Sequence, residues 1–150
     1  MTDPPKIRLR DAGDEDLEFA WSLYRTLMKP LTVALMDWDE PNQMNIVKEA
    51  LHAAGTSVIT IEEIAVGWLQ VRETAGDIYL AQLYIQTESQ NQGIGTVIVR
   101  QLCDRARRQG KRFTLDIMIN NAARSLYERL GFRAVGKSKY KIKMQWFDAE

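Results

Sequence analysis

The sequence predicts one mixed α/β domain over residues 1–150, with a mostly antiparallel sheet of about seven strands and four helices. Three observations predict it. Apolar residues switch between a period of two and a helical period along the chain. A three-strand meander occupies the middle, and a strand–glycine turn–helix–strand run follows it. In order, "KIRLR" (6–10) alternates apolar and charged residues as a first strand. "DEDLEFAWSLYRTLM" (14–28) places Leu17, Trp21, Tyr24 and Met28 along one helical stripe, opens with acids that suit the positive end of the helix dipole, and is ended by Pro30. "LTVALMDWDE" (31–40) reads as an apolar loop. Pro41 then starts a second helix that runs to about Ala54 and is closed by Gly55.

"TSVITI" (56–61), "IAVGWLQVRET" (64–74) and "IYLAQLYIQ" (78–86) form the meander, separated by the turns "EE" and "AGD". "IGTVIVRQLCDRARR" puts Ile94, Val97, Ile98, Gln101, Leu102 and Arg105 at helical spacing, its apolar part ending at Leu102, before Gly110 stops it. A strand at 112–119, a short helix at 121–130 stopped by Gly131, and two strands at 132–137 and 140–146 complete the chain. No linker, repeat or low-complexity segment interrupts the order β-α-α-β-β-β-α-β-α-β-β.

Composition narrows the function classes. An apolar share of 45% and a charged share of 27% suit a globular domain with a real core. No apolar run approaches the roughly 20 residues of a membrane span. "MTDPPKIRLR" holds no apolar leader core, so a cytoplasmic protein without a membrane partner is expected. Cys103 and His52, the single cysteine and histidine, leave no basis for a disulfide framework or a Cys/His metal site, and read as core and surface residues. Residues 1–80 carry seven Lys/Arg against fourteen Asp/Glu, a net of −7, while residues 81–150 carry thirteen against six, a net of +7. Such halves suit a cationic partner on one side and an anionic one on the other, or two solvated faces of opposite sign. No stretch mixes basic and aromatic residues as nucleic-acid binding requires.

The informative stretch is "YIQTESQNQGIGTVIV" (84–99). A strand feeding a glycine turn and a helix start is an anion site: free N–H groups point outward, the dipole adds positive potential, and missing side chains admit a phosphate. A nucleotide P-loop is excluded because no Lys-Ser/Thr follows the turn. A dinucleotide fold would use Asp116, about 20 residues on, but Ile98 stands where its third glycine belongs, and the strand before the turn is the fourth, not the first. A pyrophosphate without a paired nucleotide domain, as in coenzyme A, fits.

"QNQGIG" (90–95) is similar to the Gln/Arg-x-x-Gly-x-Gly/Ala signature of the GCN5-related N-acetyltransferase (GNAT) superfamily, and "NAARSLYERLGF" (121–132) resembles its second signature. The order of elements agrees over nearly the whole chain and is least specific at 14–54, where such enzymes build acceptor sites. The resemblance implies a sheet splayed at strands 4 and 5, with acetyl-CoA in the gap as acyl donor and co-substrate, and no metal. The backbone of Leu83, Tyr84 and Ile85 would bond the pantetheine arm as an added strand. The amides of Asn91, Gln92, Gly93, Ile94, Gly95 and Thr96 would cradle the pyrophosphate, while Gln90 organises the turn.

Tyr127 occupies the position of the family's general acid, where a phenol can protonate the departing thiolate. Asn120 and Asn121 stand seven and six residues before it, the two spacings at which relatives contact the cofactor. Asp116, on the fifth strand, takes the position of a general base used by some relatives, and burial in an apolar strand would raise its pKa; the alternatives are an edge carboxylate or an ion pair with a nearby arginine, with a water relay serving as the base. Glu88 sits where relatives carry a solvated acid.

The acceptor side falls to the acidic half, with Met28, Met36, Trp38 and Asp39 as substrate-binding candidates. Trp21 and Tyr24 could join that surface but read better as core, Tyr79 or Tyr140 is further aromatic surface, and cation–π contact and ion pairing would hold a cationic amine. The implied activity is acetyl-CoA-dependent N-acetylation of a primary amine of a small molecule or peptide, by direct attack in a ternary complex. The alternatives are a protein N-terminal or lysine acetyltransferase, and a non-catalytic acetyl-CoA-binding regulatory module. A homodimer is common among relatives.

Overall fold

The computed structural model describes residues 6–149, and the "MTDPP" of the segment read for a leader lies outside them. Seven strands and four α-helices occur in the expected order: β1 (Ile7–Asp11), α1 (Leu17–Val33), α2 (Glu40–His52), β2 (Thr56–Ile61), β3 (Ile64–Glu73), β4 (Asp77–Ile85), α3 (Ile94–Gln109), β5 (Arg112–Met118), α4 (Arg124–Arg129), β6 (Phe132–Lys137) and β7 (Lys141–Trp146). The strands bond in the order β1-β2-β3-β4-β5-β7-β6. β4 and β5 are parallel, while β1/β2, β2/β3, β5/β7 and β6/β7 are antiparallel. The parallel ladder joins Asp77–Leu80 to Arg112–Leu115 and ends there, although β4 runs on to Ile85, so the mixed sheet is splayed at these two strands.

The chain forms two compact units, one of residues up to Gln70 with Gln82–Ile94, the other of Val71–Ala81 with the residues from Gly95 onward. The first is built around Ala20, Leu23, Tyr24, Val47, Ala50, Leu51 and Trp68. Trp68 is fully buried and its indole N–H donates to the Ala20 carbonyl at 3.2 Å. In the second, the Phe132 ring meets Phe113 at 5.0 Å and Tyr127 at 5.4 Å, both edge-on, and Leu115, Met144 and Ile142 extend the buried layer. The expected "EE" turn is a tight one, with Glu62 and Glu63 both at positive φ, as a two-residue hairpin between twisted strands demands.

Three expectations fail on tertiary grounds. Pro30 does not end α1, which continues to Val33. Proline inside a helix removes one backbone bond and crowds the preceding turn, a cost of about 3 kcal/mol. Beyond it, buried Thr32 donates its hydroxyl to the Met28 carbonyl at 2.8 Å, which ties the last turn of the helix to the one before. The loop expected at 31–40 shrinks accordingly. On α1 the buried face is Ala20, Leu23, Tyr24 and Thr32, with Leu17, Trp21 and Met28 only half-buried. On α3, Val97 and Gln101 are exposed, and the buried face of Ile94, Ile98, Val99 and Leu102 continues past Leu102 through Cys103 and Ala106.

The acidic "DED" before α1 forms a 3-10 turn in which Asp16 is a hub. It accepts both terminal nitrogens of Arg10, at 2.8 and 3.0 Å, and the Gly13 N–H at 2.9 Å. The Arg10 hydrogen bonds hold the Asp16 carboxyl below its ordinary pKa, against the opposing effect of burial. A depressed pKa contributes stability above the unfolded value, about 3.9, that disappears as pH falls through the folded value. Asp16→Asn is therefore expected to lower stability at pH 7 and to flatten the acid limb below about pH 4. Urea unfolding at both pH values measures it.

Candidate active site

The glycine turn is assembled from local chemistry. β4 ends at Ile85, and the Gln90 side chain reaches back to donate Nε2–H to the Ile85 carbonyl at 2.9 Å, closing the loop on the strand that precedes it. Asn91 and Gly93 both take positive φ, 64° and 79°, a region that glycine enters freely and asparagine tolerates. A Cβ added at Gly93 would meet nothing within 4 Å. Conformation, and not crowding by the protein, therefore explains this glycine. Asn91, Gln92 and Gly93 are exposed, while Ile94 is buried and anchors the start of the sixteen-residue α3. The first N–H groups of that helix, from Ile94, Gly95 and Thr96, have no intrahelical acceptor and carry the positive end of its dipole. The arrangement can bind a phosphate or pyrophosphate.

On β4, Leu83, Tyr84 and Ile85 are half-buried. The Tyr84 ring lies 5.0 Å from Trp68 and 5.3 Å from Tyr24, and its hydroxyl donates to Gln82 Oε1 at 2.6 Å. Its carbonyl oxygen points at Gly67 of β3.

In the second unit, burial of Tyr127 among aromatic rings pushes its phenol up to about 12. It is protonated at neutral pH, so it can give up a proton there and does not act as a base. Asn121 Oδ1 accepts the Ala123 N–H at 2.9 Å, a local turn bond that shortens α4 to Arg124–Arg129 and commits this side chain to the fold. Asn120 is exposed.

Asp116 departs from the expectation of a buried carboxyl. It is exposed on the outward face of β5, opposite Lys143 of β7, because the alternation of the strand buries Leu115 and Ile117 instead. Its partner is Tyr79, whose hydroxyl donates to Oδ2 at 2.6 Å. Burial, and then this carboxylate, pushes the Tyr79 phenol up to about 12. Sequence reasoning left Tyr79 as generic aromatic surface. Its position on the strand parallel to β5 could have been the signal.

The acceptor candidates separate. Trp38 stacks at 6.2 Å on Trp21 and lies 6.1 Å from Tyr24, and with Met28 it packs against the core of the first unit. Asp39 is the N-cap of α2, accepting the Asn42 N–H at 3.3 Å and Asn42 Nδ2–H at 2.9 Å. Met36 is half-buried in the shortened loop. Acidic surface gathers elsewhere. A cleft of about 640 Å³ in the same unit is lined by Glu15, Glu18 and Glu88 together with Phe19, Ser22 and Thr26. His52, exposed beside Asp14, and buried Cys103, whose thiol burial pushes up to about 12, take no part. Among the described residues no helix is long and apolar enough to cross a membrane.

The profile of the Acetyltransferase (GNAT) family matches residues 19–132. No curated protein matches the sequence. Among solved structures, the chain resembles the PaiA N-acetyltransferase of Thermoplasma acidophilum in complex with coenzyme A, at 16% identity and a TM-score of 0.74 over 95% of this chain and 99% of that one. Apo-form YjaB from Escherichia coli gives 18% and 0.75 over 96% and 99%. Arabidopsis thaliana Naa50, in complex with the bisubstrate analogue CoA-Ac-MVNAL, gives 17% and 0.67 over 95% and 99%. At these identities the likeness establishes the fold. The family profile covers well over half of the 150 residues, and on that match the chain belongs to the GNAT family of acetyltransferases.

Proposed function

We propose that the protein is an acetyl-CoA-dependent N-acetyltransferase acting on a primary amine of a small molecule or peptide. The observation that carries the reading is the continuous run from the β4 edge, through the Gln90 clamp and the positive-φ Gly93, into the start of α3. Amides from Asn91 to Thr96 hold the pyrophosphate, and the strand edge at Leu83 and Ile85 holds the pantetheine arm. The amine nitrogen attacks the thioester carbonyl carbon directly, the C–S bond breaks, and the thiolate takes a proton from Tyr127. The proton lost by the amine leaves to Asp116 or to water.

The cleft of Glu15, Glu18 and Glu88 supports a cationic acceptor. The exposed carboxylate of Asp116 on the fifth strand, bonded by the Tyr79 hydroxyl of the fourth, supports the second reading, a protein N-terminal or lysine acetyltransferase.

A thermal-shift titration with acetyl-CoA, followed by thiol release on a panel of diamines, neutral amines and free-N-terminus peptides, tests the proposal. At a hundred times Kd the cofactor is expected to add about 2.7 kcal/mol. Glu18→Gln with Glu88→Gln is expected to raise KM for diamines severalfold and to leave that for neutral amines unchanged. No thermal shift sinks the cofactor reading. A shift with no thiol release from any amine favours a binding module, and turnover of peptides alone that is lost in Asp116→Asn favours the second reading.

A further inference from the structure

We infer that Gly67 is a positioning residue for the cofactor strand: having no side chain, it lets the β4 backbone at Tyr84–Ile85 press against β3, and so presents the peptide groups of Leu83 and Ile85 at the opposite edge. The inference rests on the proposed role of β4 in holding acetyl-CoA. A Cβ at Gly67 would stand 2.2 Å from the Tyr84 carbonyl oxygen and 3.2 Å from the Ile85 Cα. The first distance is far inside any non-bonded contact, and both partners are backbone, which cannot yield by rotating a side chain. The third neighbour, Ile59 Cδ1 at 3.2 Å, is the tip of a flexible chain.

The neighbouring register explains the close approach. Ile59 pairs with Gly67, but the next residue, Thr60, pairs with Ala65, so Val66 is an extra residue on β3. Such a bulge bends its strand and increases the local twist. The Val66 carbonyl accepts the Gln86 N–H at 2.8 Å, which pins the end of β4 to the bulge. Peptide groups alternate in direction along a strand. With the Gln86 N–H and the Tyr84 carbonyl both directed at β3, the groups of Leu83 and Ile85 face the other way. The Ile85 carbonyl receives Gln90. Leu83 N–H, Leu83 C=O and Ile85 N–H are then what this edge offers to an extended amide-bearing arm. An isolated glycine within a strand marks such an approach of another backbone.

Acetyl-CoA titration calorimetry at 10 °C, with folding checked by circular dichroism, tests the assignment. Gly67→Ala is expected to raise the Kd at least tenfold. Gly136→Ala, whose Cβ would meet only Lys143 Cβ at 3.7 Å, keeps the wild-type value. Adding Ile59→Val to Gly67→Ala removes the side-chain contact but not the clash with the carbonyl, so affinity stays low. Recovery in the double variant would mean core packing and overturn the inference. A Kd for Gly67→Ala within threefold of wild type, or a variant that does not fold, overturns it as well. In the wild type, acetyl-CoA is expected to slow hydrogen exchange at the Leu83 and Ile85 amides. Absence of binding by the wild type sinks the functional reading itself, an outcome visible without any variant.

Discussion

Tyr127→Phe is expected to lower kcat by about a hundredfold or more, within the 10²–10⁴ range of a lost general acid, while acetyl-CoA Kd stays within a factor of two. The ring is buried against Phe132 beside Phe113, so a phenylalanine keeps the edge-on packing and removes only the hydroxyl. Loss of turnover without loss of binding is the signature of an interaction made in the transition state. The sign of the pH dependence follows from the burial of the phenol. A donor held up to about 12 stays protonated across the working range, so the wild-type kcat is expected to show no descending limb due to this group below about pH 11. Steady-state kinetics of both proteins from pH 6 to 10.5 check this. Unchanged turnover in the variant would remove Tyr127 from the chemistry.

Trp68→Ala is expected to cost about 3–5 kcal/mol of stability, the range for truncating a large buried aromatic. Trp68 is fully enclosed by the core of the first unit, so truncation leaves a cavity where Ala20, Tyr24 and Leu51 cluster. It also removes the indole hydrogen bond to the Ala20 carbonyl, which adds about 1 kcal/mol to the loss. Against a total of about 5–15 kcal/mol for a domain, that is a large share. Because the ring supports Tyr84 at 5.0 Å, weaker acetyl-CoA binding is expected alongside. Trp68→Phe keeps much of the volume and is expected to cost less. Urea unfolding ranks the two, and a loss under 1 kcal/mol for Trp68→Ala would contradict the packing argument.

The order of elements was legible because each element writes its own period into the chain: alternation in "TSVITI", helical spacing in "LEFAWSLY", glycine or proline at the joints. Boundaries were less legible. Pro30 is a strong local stop signal, yet α1 runs past it to Val33, with buried Thr32 bonded back to the Met28 carbonyl. Asp39 looked like acceptor charge in an acidic loop, although its place before Glu40-Pro41 already had the form of an N-cap.

The sequence by itself determined the fold class and the glycine turn, since a positive-φ loop leading into a helix start depends on a few adjacent residues whose chemistry is local. It left the surroundings of individual side chains undetermined. Asp116 alternates with apolar neighbours in the chain, but only the sheet decides that its face is the exposed one and that Tyr79, 37 residues earlier, meets it. Glu15, Glu18 and Glu88 share a cleft only because the chain brings the end of β4 back to the start of α1. Gly67 matters through a carbonyl seventeen residues away in sequence, which leaves no room for a Cβ at that position. Burial, electrostatics and close approach act over distances in space, and only the tertiary structure sets those.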